Sequence, residues 1–342
     1  MRTVDFDIQV PRDMIAQEPV TPRDHSRLLV LDRDSGAIIH TSFYSLPQFL
    51  RSGDCLVFND SRVIPARLRG HLDGSPMDEV VIVLLSRSDR DVGVWEALVE
   101  VGEVEEGQCI SFTGFLGRVT RVGEKVGKRR ERLVAIRIRD ESKLELAGEL
   151  PVPPYIHRYR GDPERYQTVY SKIRGSAAAP TAGLHFTDGL LDELNGMGIK
   201  LCFVTLHVGL DTFMPVLEDI PEEHKMYSEF CRVGKEVADV INKTRALDRR
   251  VIGVGTTSVR TMESAYQDGK LEEYTGWTSL YILPGYEFKS VDGMVTNFHY
   301  PKSTNLMMVS AFAGLDDIKR AYQEAIDRNY RFYSFGDAML II

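Results

Sequence analysis

The sequence predicts an α/β protein: a large domain with a mostly parallel sheet, residues 1–62 and 151–342, interrupted by an inserted antiparallel β-barrel domain, residues 63–150. Two observations predict it. After about Pro151, strand-length apolar runs alternate with helical patterns, the order that builds a parallel sheet covered by helices. From about Val63 to Ile138 the texture is different. A series of short runs ("ARLRG", "DEVVIVLLSR", "VWEALVEV", "QCISFTG", "FLGRVTRV", "RLVAIRIR") is separated by Gly-bearing turns, with no amphipathic helix of useful length.

The elements follow in order. "RLLVLD", the turn "RDSG" and "AIIHTSF" form a hairpin by pattern. "SLPQFLRSGD" reads as a short helix with serine as N-cap and its end near Gly53, and "DCLVFN" as the next strand. The barrel runs follow, then the Pro- and Tyr-rich connector "LPVPPYIHRYRGDPERYQ". Beyond it come the helix "TDGLLDELNGMG", the strand "IKLCFVTLHVG", the helix "GKEVADVINKTRAL" and the strand "RRVIGVG". The helix "TTSVRTMESAYQDG", the strand "WTSLYILPG" and the helices "KSTNLMMVSAFAG" and "LDDIKRAYQEAIDRNY" complete the set. No solenoid repeat or low-complexity tract interrupts this order.

The bulk numbers bound the function. At 342 residues, 43% hydrophobic and 27% charged, the chain can bury a full core without metal or disulfide staples. No signal peptide or membrane-length apolar run is visible, so a cytoplasmic protein with no membrane association is expected. Cys55, Cys109, Cys202 and Cys231 lie far apart in strand-like runs and read as reduced, buried hydrophobes. A net charge of −8 argues against non-specific nucleic-acid binding but leaves room for a local basic patch. "SRVIPARLRG", "RVTRVGEKVGKRRERL" and "YIHRYR" are such clusters, although the second is also a plain solvated hairpin.

Ligands of parallel sheets sit at the carboxyl ends of strands, where loops meet helix starts. Four such junctions stand out. "SAAAPTAGLHFTDGLL" strings small residues ahead of His185 and a helix start. Either an anion approaches that backbone closely, or one segment packs tightly on another. "VIGVGTTSVRTME" runs a strand into Gly255, Thr256 and Thr257 without a Walker lysine or a dinucleotide fingerprint. Arg260 and Glu263 share one face of its helix, where an exposed ion pair is the alternative to a ligand role. "VTLHVGLDTFMPV" delivers His207 to a loop, as a structural or a catalytic residue. "VTNFHYPKSTNLMM" ends a strand in Asn297 and His299, followed by Lys302, Ser303 and Thr304. One composite pocket for a ligand with an anionic group is expected. The loops of His185, His207 and His299 lack the Asp/Glu/His clustering of a metal site, so no metal is expected.

These stretches, with "YQTVYSKIRGSAAAPTAGLHFT", "LPVPPYIHR", "GDCLVFNDSRVIPARLRG" and the tail "YRFYSFGDAMLI", resemble the S-adenosylmethionine:tRNA ribosyltransferase-isomerase family of queuosine biosynthesis over nearly the whole chain, least in the barrel. The resemblance implies an α/β domain with an inserted barrel. It also implies transfer and isomerisation of the ribosyl part of S-adenosylmethionine onto 7-aminomethyl-7-deazaguanine in the tRNA anticodon. Epoxyqueuosine-tRNA is formed, and adenine and methionine leave. S-adenosylmethionine is then a co-substrate, with no tightly bound cofactor, tRNA is the partner, and a monomer is expected.

That chemistry needs groups that titrate near neutrality, a seat for the methionine carboxylate and exclusion of water. On this basis His185 and His299 are the acid/base candidates, and Lys302 is the third catalytic candidate. Thr181, Gly183, Thr256, Thr257, Arg260 and Asn297 would bind S-adenosylmethionine. Arg260 and Lys302 would bring positive charge to a carboxylate or phosphate, and Asn297 would orient a ribose hydroxyl or base edge. Tyr155 and Tyr166 would stack on a flipped-out base. Arg62, Arg67 and Arg69, with the arginines of "RVTRVGEKVGKRRERL", would contact tRNA phosphates. The chain departs from the family at Leu210 and Asp211, where "HVGAGTF" is usual, at Tyr227 in place of histidine and at Asn305 in place of an apolar residue. Two other readings stay open: an enzyme acting on a free nucleoside or small anion under a barrel lid, and a non-catalytic RNA-binding module.

Overall fold

Three strands whose every residue is buried form the heart of the large sheet: Cys55–Asn59, Val251–Val254 and Gly293–Asn297. Such continuous apolar runs need cover on both faces. The computed structural model, which describes residues 1–88, 91–126, 131–157, 159–209 and 215–342, supplies that cover. Alternating side chains divide the core. Val57, Cys55 and Val251 enter a large cluster under the helices Lys235–Ala246, Thr256–Ala265, Thr304–Ala313 and Leu315–Asp327. Leu56, Phe58 and Ile252 enter a second cluster on the other face, closed by Phe43, Leu46, Phe186, Leu190 and Leu194.

The sheet has nine strands. Their order is Tyr274–Thr278, Glu229–Val233, Lys200–Leu206, Cys55–Asn59, Val251–Val254, Gly293–Asn297, Ala338–Ile341, Arg27–Leu31 and Ile38–Ser42. The sequence predicts a mostly parallel sheet, whereas the observed one is mixed. The block from Lys200–Leu206 to Gly293–Asn297 is parallel. The tail strand Ala338–Ile341 then inserts antiparallel to Gly293–Asn297 and parallel to Arg27–Leu31, and both edges end in antiparallel pairs. The "SLPQFLRSGD" segment is also different. It is a 3-10 helix, Phe43–Phe49, because Pro47 inside it has no N–H to give to an α-helical ladder. The strand expected at "WTSLYILPG" ends at Thr278.

The barrel is closed and antiparallel. Its strands run Arg67–Leu72, Ser75–Arg87, Val94–Val101, Glu131–Ile138, Phe115–Val126 and Cys109–Phe112, and the last pairs back on the first. Closure leaves no free edge to aggregate. It also brings two backbones close at the seam. A Cβ on Gly70 would lie 2.5 Å from the Ser111 carbonyl oxygen, so this strand position admits only glycine without a shift. Trp95, fully buried, anchors the interior with Ile82, Leu84, Ile110 and Ile136. Among the described residues no helix is long and apolar enough to cross a membrane.

Candidate active site

The strands Cys55–Asn59, Lys200–Leu206, Val251–Val254 and Gly293–Asn297 are parallel, so their carboxyl ends lie on one rim. The segment Ser176–His185 runs along it and touches each of the other three junctions. Ala177 N–H donates to the Val208 carbonyl (3.0 Å), and Ser176 Oγ accepts from Val208 N–H (2.9 Å). Ala182 packs over Gly255, whose added Cβ would lie 3.7 Å from the alanine methyl. Thr181 Oγ1 donates to Asn297 Oδ1 at 3.0 Å. The four junctions picked from the sequence therefore converge.

The small residues of this segment answer to packing. Ala178 lies among Leu206, Val208 and Cys231, Ala179 among Tyr166, Leu184 and Phe335, and Ala182 in the second sheet cluster. Three separate clusters leave no space for larger side chains. Gly183, expected at S-adenosylmethionine, lies instead beneath Tyr170, whose hydroxyl takes the space a Cβ would need. The helix that follows, Asp188–Gly196, is no anion seat. Thr187 Oγ1 caps it by accepting from Leu190 N–H (3.2 Å) and donates to Asp24 Oδ2 (2.9 Å), and Asp188 occupies its first turn. The helix start on the rim belongs to Thr256–Ala265. Gly255 turns into it at φ +88°, no side chain caps it, and the buried Thr257 Oγ1 has no hydrogen-bond partner. Its first amides and partial positive charge suit a carboxylate.

His185 is buried, stacked on Phe43 with 5.0 Å between ring centroids. Asn297 fixes its tautomer. The Asn297 amide nitrogen donates to the Tyr333 carbonyl and to His185 Nε2, both at 3.3 Å, while its oxygen accepts from Thr181. Nε2 is then an acceptor, so the proton sits on Nδ1 and is donated to Ser26 Oγ at 2.7 Å. Burial, helped by the positive charges of Arg331 and Arg23, pushes the pKa down to about 3. The ring is neutral at physiological pH with both nitrogens engaged, an arrangement suited to orienting neighbours.

His299 is placed differently. Its Nε2 meets Thr296 Oγ1 at 2.6 Å, its backbone N–H donates to Tyr322 (2.6 Å), and Nδ1 makes no hydrogen bond with the described residues. It is half-buried, and burial lowers its pKa to about 4. With the Thr296 hydroxyl proton given to the Asn297 carbonyl (3.5 Å), Nε2–H donates to Thr296 and Nδ1 is left with a lone pair that can accept a proton from a ligand. Beside it, Tyr300 stacks at 10° on Tyr155, whose hydroxyl bonds Ser334 Oγ at 2.8 Å. Burial pushes the Tyr155 phenol up to about 12.

Residues 3–341 match the family model described as queuosine biosynthesis protein. The chain belongs to this family. It is 51% identical to the S-adenosylmethionine:tRNA ribosyltransferase-isomerase of Symbiobacterium thermophilum and 50% identical to that of Caldanaerobacter subterraneus, in both cases over 100% of each chain. The crystal structure of the S-adenosylmethionine tRNA ribosyltransferase of Thermotoga maritima is 37% identical, covering 99% of this chain and 100% of that one with a TM-score of 0.57.

Within this family frame, several charges expected to face a ligand are already answered. Arg260 forms a buried ion pair with Glu229, whose other oxygen accepts from Gly209 N–H at 2.7 Å. The pair pins the loop after His207. Glu263 does not pair with Arg260. Its carboxylate accepts from Lys289 N–H, from Ser290 N–H and hydroxyl, and from Tyr286. Lys302 Nζ lies 2.6 Å from Asp7 Oδ2, in a turn where Lys302 itself has φ +58°. Tyr166 is fully buried with the Phe335 edge against it, so it belongs to the core and offers no face to a base. Arg62 bonds Glu164 and Ser171, Arg67 pairs with Glu100 (2.9 Å), and Arg69 with Glu149 (2.9 Å) and Glu79 (3.4 Å).

His207 stacks on Phe230, and Gly175, at φ +144°, runs so close that a Cβ there would lie 2.8 Å from Nε2. Of the departures from the family pattern, Leu210 and Asp211 lie outside the described residues, as do residues 127–130 of the basic stretch. Tyr227 packs on the barrel cluster of Val83, Leu85 and Leu98. Ser26, Thr296, Tyr300 and Glu229 are site residues that the sequence does not announce. Tyr300 could have been noticed as an aromatic in "NFHYPKST", but nothing local marks Ser26 or Glu229. Among the described residues no three His, Cys, Asp or Glu side chains group as metal ligands.

Proposed function

We infer that this chain transfers and isomerises the ribosyl moiety of S-adenosylmethionine onto 7-aminomethyl-7-deazaguanine in the tRNA anticodon. It forms epoxyqueuosine-tRNA and releases adenine and methionine. The observation that carries this is the 51% identity over the whole of both chains with a relative named for that reaction.

The rim fits the chemical demands. The sulfonium acidifies the protons on the adjacent 5′ carbon. His299, neutral above about pH 4 and with Nδ1 uncommitted, takes one of them. Adenine then departs with a proton, the neutral amine of the modified base attacks the sugar and loses a proton, and the bond from sugar carbon to sulfur breaks with its electron pair going to sulfur, which releases methionine. The uncapped start of Thr256–Ala265, with Thr257 Oγ1, receives the methionine carboxylate. Thr181 and Asn297, locked to each other and to His185, present fixed polar groups to the ribose. Tyr155 and Tyr300 offer the stacking surface for an extruded base. Arg260 and Lys302 act through the loops they tie down. Residues 1–62 and 151–342 then form the catalytic unit and 63–150 the insert, in a cytoplasmic monomer.

The test is adenine release. Purified chain, S-adenosylmethionine and tRNA bearing the aminomethyl base should yield free adenine and methionine, and omission of that tRNA should abolish both. Release without RNA, or none with it, overturns the reading.

A further inference from the structure

A small recess lies beside His185, on the Ser26 side of the ring. It is lined by Arg23, Arg165, Ser26, Leu184 and Phe335, with a volume of about 20 Å³. Arg23 and Arg165 line it, and Arg331 stands beside it, bonded to the Glu18 carbonyl next to the lining Pro19 and close enough for its charge to act on His185; these arginines differ from those of the barrel. Arg23 donates to the Glu164 carbonyl (2.9 Å) and the Leu184 carbonyl (3.4 Å). Arg165 donates to the Val20 carbonyl and to Thr21 Oγ1 (3.5 Å), and Arg331 to the Glu18 carbonyl. Main-chain and hydroxyl oxygens hold all three guanidinium groups in place. None forms an ion pair with a carboxylate among the described residues. Glu164 and Asp188 stand farther from Arg23, and Glu18 and Asp337 from Arg331. The Glu164 carboxylate is itself taken by Arg62. Among the described residues, each guanidinium keeps N–H groups that no protein atom uses.

We propose that Arg23, Arg165 and Arg331 form a phosphate-binding site that grips the RNA backbone at the mouth of the recess beside His185. The proposal takes its ligand from the function inferred above and locates the RNA contact on that site. Like charges held side by side with no carboxylate in ion-pair contact are costly: burial together with Arg165 lowers the pKa of Arg23 despite the more distant Asp188 and Glu164. An anion removes that cost. A recess of about 20 Å³ admits roughly one water-sized atom, enough for a single phosphoryl oxygen. Ser26 is suited to that oxygen. Its Oγ accepts from His185 Nδ1, which leaves its own proton to donate into the recess. Arginine forks bind phosphate bidentately, and three of them fix one nucleotide relative to the rim. Through Ser26, the phosphate would be linked to His185, Asn297 and Thr181.

The test is RNA binding as a function of salt. The probe is a fluorescent anticodon stem–loop RNA, titrated with the full chain at several KCl concentrations. Calorimetry with S-adenosylmethionine and thermal unfolding run in parallel. Arg165→Gln and Arg331→Gln should each weaken RNA binding by about 3–10-fold near 0.1 M salt and flatten the slope of log K against log[salt] by about 0.7–0.9. S-adenosylmethionine affinity should stay within twofold. Arg165→Lys, which keeps the charge and covers the case of a poorly folded glutamine variant, should retain the slope. Unchanged RNA affinity and slope in folded glutamine variants overturn the proposal. A loss of S-adenosylmethionine affinity with RNA binding intact also overturns it, since the anion is then a carboxylate. If the wild-type chain binds RNA with this arginine dependence yet releases no adenine, the site stands and the inferred reaction falls.

Discussion

Arginines of the barrel and arginines of the sheet rim carry the same charge but meet different answers. On the barrel, Arg67, Arg69 and Arg121 each face a glutamate on another strand of the same sheet: Glu100, Glu149 with Glu79, and Glu96. Around His185, Arg23, Arg165 and Arg331 face carbonyl oxygens. The first pattern neutralises itself and asks for no ligand. The second leaves charge to spare beside a buried polar array. In a chain of net charge −8, the proposed RNA contact rests on that contrast and not on a count of basic residues.

The largest expected effect belongs to the rim. His299→Ala should lower the rate of adenine release by about 10²–10⁴-fold, the range for a lost general acid or base. Single-turnover assays with saturating S-adenosylmethionine would measure it. Near wild-type turnover would remove His299 from the chemistry and leave the rim as a binding surface only.

A second effect separates buried charge from exposed charge. Glu229→Gln removes the buried carboxylate charge that Arg260 pairs with and should cost about 3–5 kcal/mol, read by urea unfolding. The double change Arg260→Met with Glu229→Leu should restore much of that loss, because it removes both desolvated ions. A cost below about 1 kcal/mol for Glu229→Gln would place the pair with the barrel's surface bridges.

How far the sequence could reveal these regions depended on distance along the chain. The central strands and long helices were legible, because continuous apolar runs and 3.6-residue periodicity are local signals. Ala338–Ile341 was not. Four apolar residues after an aromatic loop have no period, and their place between Gly293–Asn297 and Arg27–Leu31 is set by partners far away in the chain. The same holds for Glu229–Val233, a segment given no element from sequence, whose strand is set by pairing with Lys200–Leu206 and Tyr274–Thr278. In the site, Thr181, Asn297 and the two histidines stood out because strand-to-helix junctions are recognisable. Ser26, 159 residues from His185, carried no mark. Small residues misled at Gly183, since a close tyrosine and a close ligand leave the same trace in a sequence.

A third effect is a pH dependence of stability. The folded pKa of His185 is about 3, against an unfolded value near 6.5. As pH falls from 6.5 toward 3 the unfolded chain binds this proton before the folded chain does. Stability therefore falls across that window, by about 1.4 kcal/mol per pH unit from this site, and the contribution is constant above 6.5. His207 and His299, both lowered to about 4, act with the same sign, while Asp60 and Asp337, raised by burial, oppose it. His185→Gln should reduce the pH slope of the unfolding free energy between pH 4 and 6 by one proton. An unchanged slope would mean that the ring is not kept neutral by burial.

The smallest effect should come from the barrel, and its smallness is the point. Arg69 is about half exposed and lies between Glu79 and Glu149. Ion pairs in such positions contribute about 0–1 kcal/mol, because water screens them and two long side chains must be ordered. Arg69→Gln should therefore shift the urea midpoint little. Its effect on RNA binding is the sharper measurement. A guanidinium that must leave two carboxylates to reach a phosphate gains little by the exchange. Arg69→Gln should then leave the salt dependence of stem–loop binding within error of wild type, while Arg165→Gln flattens it. Equal flattening by both would show that RNA crosses from the rim onto the barrel and that pairing in the free protein does not predict which arginines meet phosphate.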